Sequence, residues 1–372
     1  MTGADVPTAA VEPRRVAAAA VAALPKMNSA RLTELAEVWS DPLDLVQAIR
    51  SGVAAEMLGS VRGDTAALVR HWSANIDLDA TAARLAARAT RVYFAGADDY
   101  PIELGIPDHP KVLFAEGARP DALDRPRVAV VGTRAATPHG LADAYELGGV
   151  LARAGVTVVS GLAIGIDAAA HLGALDAHGT AIGVLGTGLD VIYPRRNGRL
   201  HERVREGGLL ITEYRHGTGP HQMRFPARNR IIAGLSDIVV VVEATATGGA
   251  RITAQCALDY GRDICVYPGS RRNPSARGSN ELLRDNAHVV IEPDDVLGVL
   301  GLTPGDRRTP PGGQAPATLD EHAVMHALGG DPATIDEITA RTGLGPGPAA
   351  VAVAALVRNG GIHRAHGLLW PT

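Results

Sequence analysis

The sequence predicts an α/β fold: a doubly wound parallel sheet with a helical N-terminal domain before it and a winged-helix domain after it. Three observations predict it. Short β-branched runs alternate with helical periods through the middle of the chain, glycine follows nearly every run, and the first 85 or so residues show only Ala/Leu-rich helical periodicity. With 372 residues, 46% of them hydrophobic, the chain is long enough for two or three domains with real cores.

Residues 1–85 are expected to be all-helical, with breaks such as Ser40-Asp41-Pro42. The apolar run 16–24 is preceded by Glu12, Arg14 and Arg15 and closed by Pro25-Lys26, well short of a bilayer span, so it reads as a soluble helix. No other stretch is long and apolar enough to cross a membrane. Cys256 and Cys265 have neither metal-ligand nor disulfide-framework spacing, so the expected compartment is the reducing cytoplasm and neither is given a role.

Residues 86–302 carry the sheet. Its strands are expected at Val128-Ala129-Val130-Val131, Val156-Thr157-Val158-Val159, Ala181-Ile182-Gly183-Val184-Leu185, Leu209-Leu210-Ile211-Thr212, Ile238-Val239-Val240-Val241-Val242 and Ile264-Cys265-Val266-Tyr267. Continuous apolar strands separated by helices imply a parallel, Rossmann-like sheet covered on both faces. Residues 303–317 form a Pro/Gly-rich linker. In residues 318–372, Ile335-Asp336-Glu337-Ile338, the turn Thr342-Gly343-Leu344 and an apolar helix over 351–357 precede a hairpin through Gly360-Gly361-Ile362-His363-Arg364 and Gly367-Leu368-Leu369-Trp370, the order of a winged helix. Three Arg against five Asp/Glu make that module acidic, which weakens a DNA-reading role for it.

Ligands of such sheets collect beyond the carboxyl ends of the strands. There the chain places Gly132-Thr133-Arg134, Ser160-Gly161-Leu162-Ala163-Ile164-Gly165, Gly186-Thr187-Gly188 and Thr247-Gly248-Gly249, loops whose backbone N–H groups can approach an anion. None is a full G-x-G-x-x-G opening a helix and no G-x-x-x-x-G-K-[ST] occurs, so a nicotinamide dinucleotide and Walker-type ATP hydrolysis are not expected. The most informative stretch is Phe225-Pro226-Ala227-Arg228-Asn229-Arg230, leading into the helical pattern Ile231-Ile232-Ala233-Gly234-Leu235. Pro226 suits a first helical turn, so an aromatic ring and guanidinium groups from Arg224 and Arg228 gather at a helix N-terminus, where anions are favoured. Residues 195–230 hold nine Arg against three Glu, whereas the whole chain is formally −4. A basic patch beside a flat ring points to single-stranded nucleic acid. Phe225 as a stacking plate and Phe225 as a core plug both remain open.

Asp167 and His171 lie four apart, on one helix face. They form either an acid–base pair or, the favoured reading, a helix cap and a structural histidine, since no third ligand or nucleophile accompanies them. No metal or cofactor is expected.

Together, Gly132-Thr133-Arg134, the run from Ser160 to Asp167 with Ala170-His171, Gly188-Leu189-Asp190 with Tyr193-Pro194-Arg195-Arg196-Asn197, Thr212-Glu213, Phe225 through Ser236, and Pro268-Gly269 resemble the DNA-processing protein A family (DprA, also called Smf). The resemblance is dense over 127–293. It implies a degenerate SAM- or helix-hairpin-helix-like N-terminal domain and a C-terminal winged helix. It further implies a homodimer that binds single-stranded DNA without catalysis, helps displace single-strand binding protein, and loads RecA recombinase in DNA uptake, natural transformation and recombination. Carried over by position, Arg134 and Arg195, the latter usually Lys in the family, match DNA contacts, and Phe225, Arg228 and Asn229 match the family's F-P-x-R-N pocket. The wider expected DNA-binding set adds Gly132, Ser160, Gly161, Gly165, Arg196, Asn197, Arg230, Gly248, Gly249 and Thr253, with Asp167, His171, Gly186, Gly188, Pro268 and Gly269 shaping the pocket. Three positions depart from the family pattern. Gly248-Gly249-Ala250-Arg251-Ile252-Thr253 lacks the serine of S-G-x-L-I-T, Thr137 replaces the serine after the G-x-R turn, and Leu24-Pro25-Lys26-Met27-Asn28-Ser29 lacks helix-hairpin-helix glycines, so DNA contacts are not assigned there.

Two other classes compete. A nucleotide-processing enzyme related to nucleoside-monophosphate phosphoribohydrolases would need a Glu where Gln255 or Cys256 stands. A pure interaction scaffold would leave the central domain without DNA binding.

Overall fold

A computed structural model describes residues 11–59, 63–103, 106–302, 318–328, 332–358, 361–365 and 368–371. Five helices open the chain: α1 (Pro13–Ala22), α2 (Ser29–Val38), α3 (Pro42–Ser51), α4 (Thr65–Asn75) and α5 (Leu78–Ala87). The last four begin at Asn28, Asp41, Asp64 and Asp77, whose side chains accept first-turn backbone N–H groups and so satisfy donors that a helix leaves orphaned.

The strands are β1 (Arg91–Phe94), β2 (Val112–Glu116), β3 (Arg127–Val131), β4 (Thr157–Ser160), β5 (Ala181–Val184), β6 (Gly208–Thr212), β7 (Ile238–Val241), β8 (Asp263–Val266) and β9 (His288–Val289). They form one sheet in the order β1-β2-β6-β5-β4-β3-β7-β8-β9. The six expected runs are β3 to β8, all parallel. The expectation of a purely parallel sheet needs correction at one edge. There β1 pairs antiparallel with β2, and β2 antiparallel with β6.

The helices between the strands are α6 (Pro138–Arg153), α7 (Ile166–Asp176), α8 (Gly198–Gly207), α9 (Arg224–Gly234), α10 (Gly249–Asp259), α11 (Arg277–Arg284) and α12 (Pro293–Val299). Alternate residues of one strand feed opposite layers. Val128 and Val130 pack with α6, α7 and α12, while Ala129 and Val131 pack with α9 and α10. The N-terminal helices share a third core with β1, β2 and α8, where Val16, Leu35, Ile49 and Trp72 meet Phe94, Phe114, Leu200 and Val204. They are thus fastened to the sheet edge.

The C-terminal winged helix comprises α13 (Leu319–Leu328), α14 (Ile335–Thr342), α15 (Pro346–Arg358) and the hairpin β10 (Ile362–Ala365) and β11 (Leu368–Pro371). It has its own core around Val324, Ile338, Val353 and Leu356. A reciprocal capping box, Thr334 with Glu337, starts α14. The hairpin also packs against α6: Tyr145 stacks on His363, and Trp370 joins the core beneath. The expected linker, 303–317, lies outside the described residues, as do Gly360 and Gly367 of the expected hairpin. Among the described residues, no helix is long and apolar enough to cross a membrane.

Candidate nucleic-acid interface

Strand order fixes where a cleft opens. The chain runs from β3 outward through β4, β5 and β6, then returns to place β7 on the other side of β3, so the loops leaving β3 and β7 diverge. Between them lies a cavity of about 620 Å³. Its walls come from Gly132, Thr133 and Arg134 after β3, Asp167 at the start of α7, Tyr193 before α8, Phe225, Arg228 and Asn229 on α9, and Gly248, Gly249 and Thr253 at the start of α10. Five chain segments that the sequence pattern singled out separately therefore converge.

Glu243, just beyond β7, was not singled out. Its carboxylate accepts from Thr137 N (2.9 Å) and Thr137 Oγ1 (2.6 Å), and its carbonyl accepts from Thr133 N (2.7 Å). It thereby fixes both ends of the turn that presents Arg134, while Thr137 caps α6. A lone carboxylate ending an otherwise apolar strand was the available signal.

Arg134 is exposed, but Arg228 is only 4% exposed and forms part of the floor. Its Nη1 donates to the carbonyls of Gly161 (2.8 Å) and Val184. Burial pushes the Arg228 pKa down to about 10, opposed by the charge of Asp167. Burial pushes the Asp167 carboxyl up, opposed by Arg228. The two charges compensate each other in a dry setting. Gly161 is required here because a Cβ would lie 2.4 Å from both Arg228 terminal nitrogens.

Asp167 does not cap its own helix, contrary to expectation. It occupies the first turn of α7 after Gly165, and accepts from Gly161 N (3.1 Å) and Ala163 N (3.3 Å), so it closes the preceding glycine loop. His171 is fully buried, and desolvation lowers its pKa to about 3, the behaviour of a neutral core histidine. Ser160 is also buried and donates to the Val130 carbonyl at 2.7 Å. Asn229 donates to the Gly249 carbonyl (3.0 Å), tying α9 to the Gly248-Gly249 turn, and Thr253 is buried in the cleft wall.

Several expected contacts lie elsewhere. Arg230 pairs with Glu213 at 2.7 Å and does not line the cleft. Asn197 donates to the Leu162 and Ala163 carbonyls, bracing the glycine loop. Gly186 backs the Phe225 ring, Gly188 sits against the Arg215 carbonyl, and Pro268 and Gly269 are exposed, with Gly269 held by Asn280. The basic patch is smaller than the count of nine Arg implies: Arg203 pairs with Asp176, Arg205 with Glu202, Arg224 donates to the Gly219 carbonyl, and Arg228 and Arg230 are engaged as above. Among the described residues, Arg195, Arg196, Arg199 and Arg215 remain exposed and unpaired, and Arg134, which lies over the Phe225 ring, is a fifth exposed cation without an ion pair at the cleft. No group of three or more His, Cys, Asp or Glu among the described residues is placed to hold a metal ion.

A model of the DNA recombination-mediator protein A family matches residues 91–301, more than half of the chain. The chain belongs to this family. A second model, the DprA winged helix domain, matches residues 308–367. Protein Smf of a Synechocystis species is 43% identical over 210 residues, covering 55% of this chain and 53% of that protein. The chain thus spans about half the length of the relatives it first matches. DNA processing protein A from Streptococcus pneumoniae superposes with a TM-score of 0.67 at 33% identity, over 77% of this chain and 98% of that structure. That of Helicobacter pylori, in a structure concerned with its single-stranded DNA binding mode, gives 0.51 at 29% identity, over 57% and 95%. The family match covers every wall of the cleft.

Proposed function

We propose that residues 86–302 form a single-stranded DNA-binding unit whose strand runs across the cleft, its phosphates met by Arg134, Arg195 and Arg196 and by the glycine-loop backbone at Gly132, Gly248 and Gly249. One observation carries the reading: a nucleotide-sized cleft has an aromatic rim with exposed guanidinium groups beside it. The Helicobacter relative supports the same ligand.

From the family we carry over the larger role: a cytoplasmic homodimer that protects incoming single-stranded DNA, helps displace single-strand binding protein and loads RecA recombinase. The chain is read as a binder rather than an enzyme. The carboxylate in the cleft wall, Asp167, is already engaged by backbone N–H groups, and Glu243 behind the β3 turn is engaged by Thr137.

Polarisation titrations with labelled oligo-dT, with duplex DNA and AMP as controls, test this. Oligo-dT is expected to bind in a salt-dependent way and the controls weakly. Arg134→Ala and Arg195→Ala should each reduce the log–log salt slope by about 0.7, the loss of one phosphate contact on a single strand. Preference for AMP over oligo-dT, with release of its base, would replace this reading by the nucleotide-processing one.

A further inference from the structure

The aromatic rim has an inner and an outer member. Phe225 stacks on Tyr193, with centroids 5.0 Å apart and planes 25° apart. The Arg134 guanidinium carbon lies over the Phe225 ring, 5.7 Å from its centroid. The ring is also seated on Gly186, where a Cβ would come within 2.9 Å of Cδ1. Phe225 is half-buried and already serves another ring and a cation while its edge rests on backbone, so it is less open to a ligand than Tyr193.

Tyr193 differs on each count. It is 39% exposed, it lines the cleft, and its hydroxyl makes no hydrogen bond among the described residues. Its chain neighbours are Ile192, also exposed, and the free Arg195 and Arg196; Met223, two residues before Phe225, is 71% exposed. An aromatic ring held in place from behind and open in front, between unpaired cations, is pre-organised for a flat ligand and loses little freedom on binding one.

We propose that Tyr193 is the base-stacking plate of this site and Phe225 its backing ring. A nucleobase lies on the outer face of Tyr193 while Arg134 on one side and the Arg195-Arg196 turn on the other meet the flanking phosphates. This rests on the single-stranded DNA reading above and assigns the stacking role within it to a residue that carries no charge.

The experiment uses the full chain and labelled oligo-dT over a salt series. Tyr193→Leu should weaken binding by roughly 5- to 150-fold, the range for one base–aromatic stack, with the salt slope and melting midpoint unchanged. Phe225→Leu should cost less affinity than Tyr193→Leu. Tyr193→Trp should keep its affinity and show emission quenched by oligo-dT beyond any change in the wild-type chain. Wild-type affinity in Tyr193→Leu, an unquenched Tyr193→Trp at saturation, or a larger loss in Phe225→Leu would each overturn the assignment. If Arg134→Ala still flattened the salt slope in that case, the single-stranded DNA reading would stand without it. Absence of saturable oligo-dT binding by the wild-type chain would remove both.

Discussion

Tyr193 and Phe225 stack at the cleft much as Tyr145 stacks beneath the C-terminal winged helix, where His363 lies 4.0 Å away at 14° and Trp370 5.8 Å away at 27°. The surroundings of the two stacks differ. Tyr145 and Trp370 are 8% and 5% exposed, and the Tyr145 hydroxyl donates to Asp176 at 2.8 Å. The cleft stack leaves an open face beside Arg134, Arg195 and Arg196. Similar ring geometry closes an internal contact in one place and presents a plate in the other, so burial and nearby free charge, rather than the rings, distinguish the roles.

The comparison can be broken most forcefully at the cleft floor. Arg228→Ala leaves the Asp167 carboxylate buried without its cation and the Gly161 and Val184 carbonyls without a donor. It should cost about 3–5 kcal/mol of folding stability. Denaturant melts check this, and a midpoint close to wild type would show that the cleft is not held from beneath. At the sealed stack, Tyr145→Leu keeps most of the apolar volume and removes the ring contacts, worth about 0.5–1.5 kcal/mol. Limited proteolysis should then release the winged helix faster, with oligo-dT affinity unchanged; lost affinity would mean that the two stacks are coupled.

The smallest effect depends on pH. Burial lowers the His363 pKa to about 4, so the undocked histidine, near 6.5, takes up a proton first. Docking therefore makes its full contribution above the ordinary histidine range and loses it as pH falls from about 6.5 towards 4. Proteolytic release of the winged helix followed from pH 7 downward should rise through that window, and His363→Phe should flatten the rise. An identical rise in the variant would assign the effect to other groups, such as the buried His171.

Strands β3 to β8 were legible because each is an unbroken apolar run buried on both faces. β1 and β2 were not, since Arg91-Val92-Tyr93-Phe94 and Val112-Leu113-Phe114-Ala115-Glu116 are set among prolines and charges and pair antiparallel, outside the regular strand–helix alternation. β9 is only two exposed residues long. At the site the glycine loops were legible, because turn chemistry is local. The supply of free cations was not: whether Arg230 meets Glu213 or a phosphate is decided by tertiary packing. Glu243 escaped because its partner, Thr137, lies at the far end of the β3 loop. Tyr193 is conspicuous only once Phe225 is seen to lie behind it.

The crossover that brings β7 beside β3 also sets when the site can exist. Val128 pairs with Ile238, and the cleft between them needs Asn229 to reach the Gly249 carbonyl. A chain emerging from the ribosome has Arg134 and its glycine turn early, but no cleft to hold them until α10 has followed. Contacts of such long sequence separation form late, so an unfinished copy has the cations without the grip. Competence to hold a strand therefore arrives in one step, with the closing of the sheet.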